Sequence, residues 1–283
     1  MALAKFGPGG NGARFKAEGG KSTADAPAWL SSFGLDAYEY EAGQGVAASE
    51  ASLRTIGERA REFGIQMSLH APYFISLSGV DPEKRLKSID YIKKSVWAAE
   101  LLGAKTIVIH SGSAGKISRE EAMRLSCDTL DKVIDAIGDT SIRLGIETMG
   151  KVNQLGTLDE VIEQCKVDPH YYPVVDFGHL NARECGGVFP DADHYRRIFD
   201  KIANSLGDKY AVDMHCHFSK IQWTDMGEKR HLTFEDAEYG PDFEPLMEAI
   251  VKEDLAPCII CESDDTQAED ALAMKKYYMS LKG

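Results

Sequence analysis

The stretch AKTIVIHSG, residues 104–112, is an apolar, β-branched run that ends in a histidine. SREEAMRLSCDTLDKVIDAIG (118–138) follows with apolar residues at helical spacing, and then a second apolar run, IRLGIETMG (142–150), ends in a glutamate. Strand, amphipathic helix and strand in so short a span make a βαβ unit, and a crossover of that kind places the chain in the α/β class. The same alternation extends in both directions. Further apolar runs stand at LAKFG (3–7), AYEYEA (37–42), IQMSLHAPY (65–73), YPVVDFGHL (172–180), AVDMHCHFS (211–219) and APCIICES (256–263), which makes eight strand candidates. Helical stretches lie between them. DPEKRLKSIDYIKKSVWAAELLG (81–103) carries Asp81 as a cap, Pro82 in the first turn and Gly103 at its end, and Ser118 with Glu120 and Glu121 opens the helix already quoted. Eight strand–helix units in 283 residues predict a (β/α)8 TIM barrel, a single domain over residues 1–283. An open dinucleotide-binding sheet is the alternative, but no strand runs into GxGxxG, and the early GPGGNG (7–12) does not fit that pattern.

Composition narrows what such a barrel can do. The amino terminus, MALAKFGPGGNGARF, has no apolar core of a secretory signal, and no apolar run is long enough to cross a membrane, so a soluble, cytoplasmic protein is expected. The six cysteines are scattered, and CIIC (258–261) lies within a strand, where positions three apart face opposite ways; free thiols are expected. Acidic residues outnumber basic ones 45 to 32, for a net charge of -13. Binding to a polyanion would therefore need local positive charge, from a basic patch or from bound metal ions.

The strand ends carry the unusual residues. They are His70 in SLHAPY, His110 in VIHSGS, Glu147 in GIETMG, Asp176 and His179 in VVDFGHL, His217 in HCHFSK and Glu262 in CIICES. In a barrel these ends converge on one mouth, where active sites of this fold lie. A lone His or Glu at a strand end is ordinary, but six consecutive strands each supplying one is not. Neutral imidazoles and ionised carboxylates are what zinc or manganese takes, and seven ligands exceed the needs of one ion. Glu228 and His231, in GEKRHLTF on a long loop after the seventh strand, extend the set towards a third ion. His215 shares its strand face with His217 and sits deeper, as a supporting partner, while His170 and His194 fall outside strand ends.

These motifs in this order, from about residue 65 onward, resemble the endonuclease IV family of barrel-type apurinic/apyrimidinic endonucleases: LHAPY at His70, VIHSGS at His110, GIET at Glu147, VVDFGHLNA at Asp176 and His179, HFS at His217 and CES at Glu262. The resemblance implies two or three zinc ions, with manganese as the alternative. His70, His110 and Glu147 would hold one; Glu147, Asp176, His217 and Glu262 a second; His179 and His231 a third. It also implies hydrolysis of the phosphodiester 5' to an abasic site, with Glu147 and Glu262 positioning or deprotonating the nucleophile, and damaged double-stranded DNA as the partner, without an obligate protein partner. Three departures stand out. Lys229 occupies the position two before His231 where the family has Asp, leaving Glu228 at a spacing of three. The segment after strand two, YEYEAGQGVAASE, has no basic residue. The first strand runs into the glycine-rich GPGGNGARFKAEGGKS, where Arg14 and its basic neighbours suit either phosphate contact or a plain surface loop. Tyr73 and Phe74 suit base stacking and ordinary packing equally well. The competing expectation is a sugar isomerase or epimerase of the xylose isomerase type, which needs one ion on Glu147, Asp176, His217 and Glu262. His70, His110 and His231 argue against it, and the strand-two loop without basic residues argues for it.

Overall fold

A computed structural model describes residues 2–283. The strands are β1 (Lys5–Pro8), β2 (Ala37–Glu41), β3 (Gln66–His70), β4 (Thr106–His110), β5 (Arg143–Glu147), β6 (Tyr171–Asp176), β7 (His215–Phe218), β8 (Lys220–Thr224), β9 (Gly227–Leu232) and β10 (Cys258–Cys261). The helices are α1 (Ala13–Ala17), α2 (Ala26–Phe33), α3 (Glu50–Glu62), α4 (Pro82–Leu102), α5 (Arg119–Ile137), α6 (Leu158–Cys165), α7 (Phe177–Arg183), α8 (Ala192–Leu206), α9 (Glu244–Lys252) and α10 (Gln267–Lys282). Eight parallel strands lie in the order β1-β10-β7-β6-β5-β4-β3-β2, with helices crossing between them. This is the expected TIM barrel.

The barrel is nearly closed, and its seam depends on a glycine. β1 and β2 meet through a bridge between Gly9 and Glu39 and hydrogen bonds from Asp36 N to Phe6 O (3.1 Å) and Gly10 N to Glu39 O (3.0 Å). A Cβ on Gly7 would stand 1.8 Å from the carbonyl oxygen of Ala37, so the two strands approach only because residue 7 has none.

Parallel strands covered on both faces must be apolar throughout, and that burial produces the runs seen in the sequence. Two faces separate cleanly on β10. Ile259 and Cys261 join the main core beneath the helices, whereas Cys258 and Ile260 pack with Ala37 in a small inner cluster. All six cysteines are free thiols. The anticipated caps hold: Asp81 accepts from Glu83 N, Ser118 accepts from Glu121 N, and α4 ends at Gly103 with φ 65°.

Three expected boundaries are corrected. The sixth strand stops at Asp176, because Asp176 Oδ1 accepts the backbone N–H of His179 at 2.7 Å and caps α7, so FGHL is helical. The third strand stops at His70, before Pro72, which has no N–H to give a ladder. The seventh begins only at His215, after the tight turn Asp208–Tyr210. The expected loop carrying Glu228 and His231 is instead an antiparallel hairpin, β8–β9, outside the barrel sheet. Among the described residues no helix is long and apolar enough to cross a membrane.

Candidate metal centre

Alternation along each strand turns one set of side chains into the barrel, and the carboxyl-terminal members of that set meet in a cleft of about 750 Å³. His70, His110, Glu147, His179, His231 and Glu262 line it. Their donor atoms fall into groups. His70 Nε2 and His110 Nε2 lie 3.6 and 3.3 Å from Glu147 Oε2. His217 Nδ1 lies 3.0 Å from Glu147 Oε1 and 3.4 Å from Glu262 Oε1, and Asp176 completes that quartet. His179 Nε2 lies 3.4 Å from Glu228 Oε2, and His231 Nε2 lies 4.0 Å from Glu228 Oε1. Glu147 belongs to the first two groups and so stands between them.

Divalent cations fit this arrangement on three counts. Tetrahedral ligands on zinc bonds of ~2.0–2.2 Å sit about 3.3–3.6 Å apart, close to most of the separations here. Glu147 Oε2 and Asp176 Oδ2 are buried without a hydrogen-bond partner, an expensive state for carboxylates unless a cation faces them. The imidazoles are also pre-oriented: Nδ1 of His70 is held by the carbonyl of Ala71 (2.9 Å), Nδ1 of His179 by that of Thr148 (2.9 Å), and Nδ1 of His231 by Ser219 Oγ (2.8 Å). Each bond leaves Nε2 towards the cleft, and the carbonyl partners of His70 and His179 fix the tautomer a metal needs.

Charge follows the same logic. Burial opposes protonation of His70, but Glu147, Glu41 and Glu39 overcome it and push His70 up to about 10. Burial is likewise outweighed at His179, which Asp176, Glu228 and Glu147 push up to about 9. His217 rises well above the ordinary histidine value against its burial, under Glu262 and Glu39. Burial drives His110 down to about 3, and burial with His179 lowers His231. Glu147 stays well below the usual range despite burial, because His217 and His70 face it. Burial, with Glu147 and Asp176 nearby, raises Glu262 to about 8. Protons thus collect on imidazoles in a strongly negative mouth, and dications would displace them, since a ligating histidine must be neutral.

The unusual spacing of Glu228 is resolved by a β-bulge. Ile221 pairs with His231 and Gln222 with Arg230, but Trp223 pairs with Glu228, so Lys229 is the extra residue. In a regular strand, residues three apart face opposite ways; one bulged residue resets the parity and returns Glu228 to the face of His231.

The three suggested substrate-contact residues part company. Tyr73 lines the cleft, its hydroxyl 3.3 Å from Glu41 Oε2. Phe74 is not among the cleft-lining residues and packs edge-on against Tyr91. Arg14 does not line the cleft: it pairs with Glu18 at 2.7 Å, approaches Glu269 at 4.0 Å and lies over the ring of Phe33. α1 thus folds the Arg14 side chain onto α2 and α10, outside the cleft lining.

Four residues of the mouth are not evident from the sequence. Glu39 and Glu41 face inward from β2, and Glu39 is completely buried. Lys151 is the one cationic side chain among the described residues lining the cleft, histidines apart. Arg183, from the end of α7, donates to the carbonyls of Met149, Lys151, Val152 and Gln154 and fixes the loop that carries Lys151. The period-2 pattern of AYEYE is the one available signal for the two glutamates.

A nearly closed parallel barrel with clustered metal-type ligands at its carboxyl-terminal mouth defines a class of barrel proteins. Within it, the chain belongs to the xylose isomerase-like TIM barrel family, whose model matches residues 27–278. It is 31% identical over 252 residues to the uncharacterized protein MJ0133 of Methanocaldococcus jannaschii, covering 88% of this chain and 89% of that protein. It is 32% identical over 167 residues to the probable endonuclease 4 of Acholeplasma laidlawii, covering 56% of each. Among solved structures, endonuclease IV from Thermus thermophilus superposes with a TM-score of 0.68 at 17% identity, over 98% of this chain and 99% of that one. A D-tagatose 3-epimerase-like protein superposes equally well, with TM-score 0.68 and 18% identity over 87% of this chain and 89% of that one. The two superpositions establish a common fold and do not separate the two chemistries.

Proposed function

We propose that this chain is a metal-dependent phosphodiester hydrolase of the endonuclease IV type, acting on abasic or otherwise damaged double-stranded DNA in the cytoplasm. One observation carries the reading: beyond the quartet Glu147, Asp176, His217 and Glu262, the mouth gathers His70 and His110 on Glu147 and sets His231 with Glu228 beside His179, and a one-ion epimerase has no use for His70, His110 or His231. The relatives called probable endonuclease 4 point the same way. Zinc is the expected ion, with manganese as the alternative, and two or three would supply Lewis acidity and a low-pKa water at the mouth.

The chain's own residues divide the remaining work. The ionised Glu147 gathers His70, His110 and His217 and sets the spacing of the groups. Glu262, partly open to the cleft, is suited to take a proton from water as its oxygen adds to phosphorus, while the P–O bond to the sugar oxygen breaks and that oxygen leaves as a hydroxyl after taking a proton from solvent. Lys151 adds one fixed positive charge at the rim. With so few cations in the lining, most attraction for a phosphate would come from the bound ions.

The second reading, a one-ion sugar epimerase, draws on Glu147, Asp176, His217 and Glu262 and on a strand-two loop without basic residues. The deciding experiment is cleavage of a labelled duplex with one abasic site by zinc- and by manganese-loaded protein, against an intact duplex. A nick 5' to the lesion is expected. No nick from fully metallated protein, together with a metal content of one, would transfer the assignment to the epimerase.

A further inference from the structure

His217 breaks the pattern of its neighbours. In His70, His179 and His231 the outer nitrogen is Nδ1, held by a neutral carbonyl or hydroxyl. In His217 the ring is reversed: Nδ1 faces Glu147 and Glu262, and Nε2 lies 2.9 Å from Oε1 of Glu39. Glu39 is fully buried on β2. Its other oxygen, Oε2, is already engaged, accepting from Ser68 Oγ at 2.7 Å and from His215 Nε2 at 2.8 Å. Glu39 Oε1 and His217 Nε2 remain, each buried and without an aligned hydrogen bond.

A buried carboxylate is costly, and a hydrophobic residue of similar volume would fill the space more cheaply, so packing alone does not account for Glu39. Oε2 is satisfied twice at short distance and Oε1 faces His217 Nε2 at 2.9 Å, so as a ligand Glu39 would have to give up one of these contacts. We propose that Glu39 is a positioning residue for metal capture. It receives the Nε2–H of His217 on Oε1 when Nδ1 takes an ion, while Ser68 and His215 brace the carboxylate from behind. The 2.9 Å contact already sets the two atoms at hydrogen-bond distance. The arrangement fixes the His217 tautomer, raises the basicity of Nδ1, and assigns His215 a purpose without making it a ligand. It rests on the metal-binding part of the function proposed above and is independent of the substrate.

The test is Glu39→Gln, which keeps the shape of the side chain and an acceptor for Ser68 or His215 but removes the charge. Zinc affinity is read by chelator competition on the metal-free protein, and the number of ions by elemental analysis at buffered zinc. The variant is expected to lose roughly 10–100-fold in affinity for one ion, to keep the others, and to melt no lower than wild type when metal-free. In histidine-labelled, zinc-loaded protein, one downfield Nε2–H resonance of the wild type should move upfield in the variant. Wild-type affinity for every ion with an unmoved resonance would overturn the proposal, as would a metal-free variant that melts lower while all ions weaken together. If wild type itself takes up no zinc, the metal reading of the whole site fails, an outcome distinct from a failure of Glu39 alone.

Discussion

Replacing Glu228 by alanine should remove one ion and leave the others. His179 and His231 would then be the only members of the third group, because Glu228 supplies its one carboxylate. Losing a partner one step behind a metal ligand costs roughly 10–100-fold in affinity, so losing the ligand itself should cost about 100-fold or more, near 2.7 kcal/mol at ~1.36 kcal/mol per decade. The assay is elemental analysis after dialysis against zinc buffered between the two affinities, where wild type should hold three ions and the variant two. Two companion variants probe the bulge itself. Adding Lys229→Asp to the alanine variant restores a carboxylate two residues before His231, yet position 229 is the bulged residue. It should not bring the ion back. Deleting Lys229 from wild type joins Glu228 to Arg230 in a regular ladder, and the resulting spacing of two keeps Glu228 on the face of His231. That deletion should retain all three ions. Rescue by Asp at 229, or loss of the ion on deletion, would refute the assignment of parity to the bulge, and full zinc content in Glu228→Ala would remove Glu228 from the ligands.

Other consequences can be checked as directly. Glu262→Gln should abolish nicking of an abasic duplex with the circular dichroism spectrum unchanged; cleavage at the wild-type rate would remove Glu262 from the chemistry. His70 and His179 are raised in the fold to about 10 and about 9, and Glu262 to about 8. A folded pKa above the unfolded one gives stability that is present at lower pH and lost as pH rises through the folded value, so the metal-free protein should melt progressively lower from about pH 6.5 to 10. Zinc-loaded protein, freed from proton competition, should not follow that decline, and a metal-free melting temperature that climbs over the same range would contradict the protonation pattern. Gly7→Ala must displace backbone at the β1–β2 seam and should cost ~3 kcal/mol or more in urea unfolding; a change within ~0.5 kcal/mol would show that the seam yields.

Legibility in the sequence follows burial. Strands covered on both faces have to be apolar, so TIVIH, RLGIE and CIIC announce themselves, and the polar residues at their ends mark the mouth. Where sequence and structure differ, the causes are local. FGHL looks like a continuation of the sixth strand because nothing in an apolar run marks where Asp176 caps a helix. GEKRHL looks like a loop because a hairpin outside the core needs no apolar alternation, and its bulge is invisible without the partner strand. Glu39 and Glu41 are hidden because alternation of Tyr and Glu suggests glutamates facing solvent. In this barrel the outer face of β2 packs under helices, so Tyr38 lies in the core, while Glu39 turns into a buried polar interior and Glu41 turns to the open cleft.

The β8–β9 hairpin separates two parts of the site by origin. Seven of the nine ligands proposed from the sequence come from the eight-strand scaffold or its immediate continuation, while Glu228 and His231 ride on an appendage hung between β7 and α9. Such an appendage can be trimmed, lengthened or re-registered by insertions without disturbing the strands that carry the rest, as surface connections commonly are. On the proposed metal reading, the number of ions held at the mouth would depend on this one hairpin, a segment that can change while the strands carrying the other candidate ligands stay as they are.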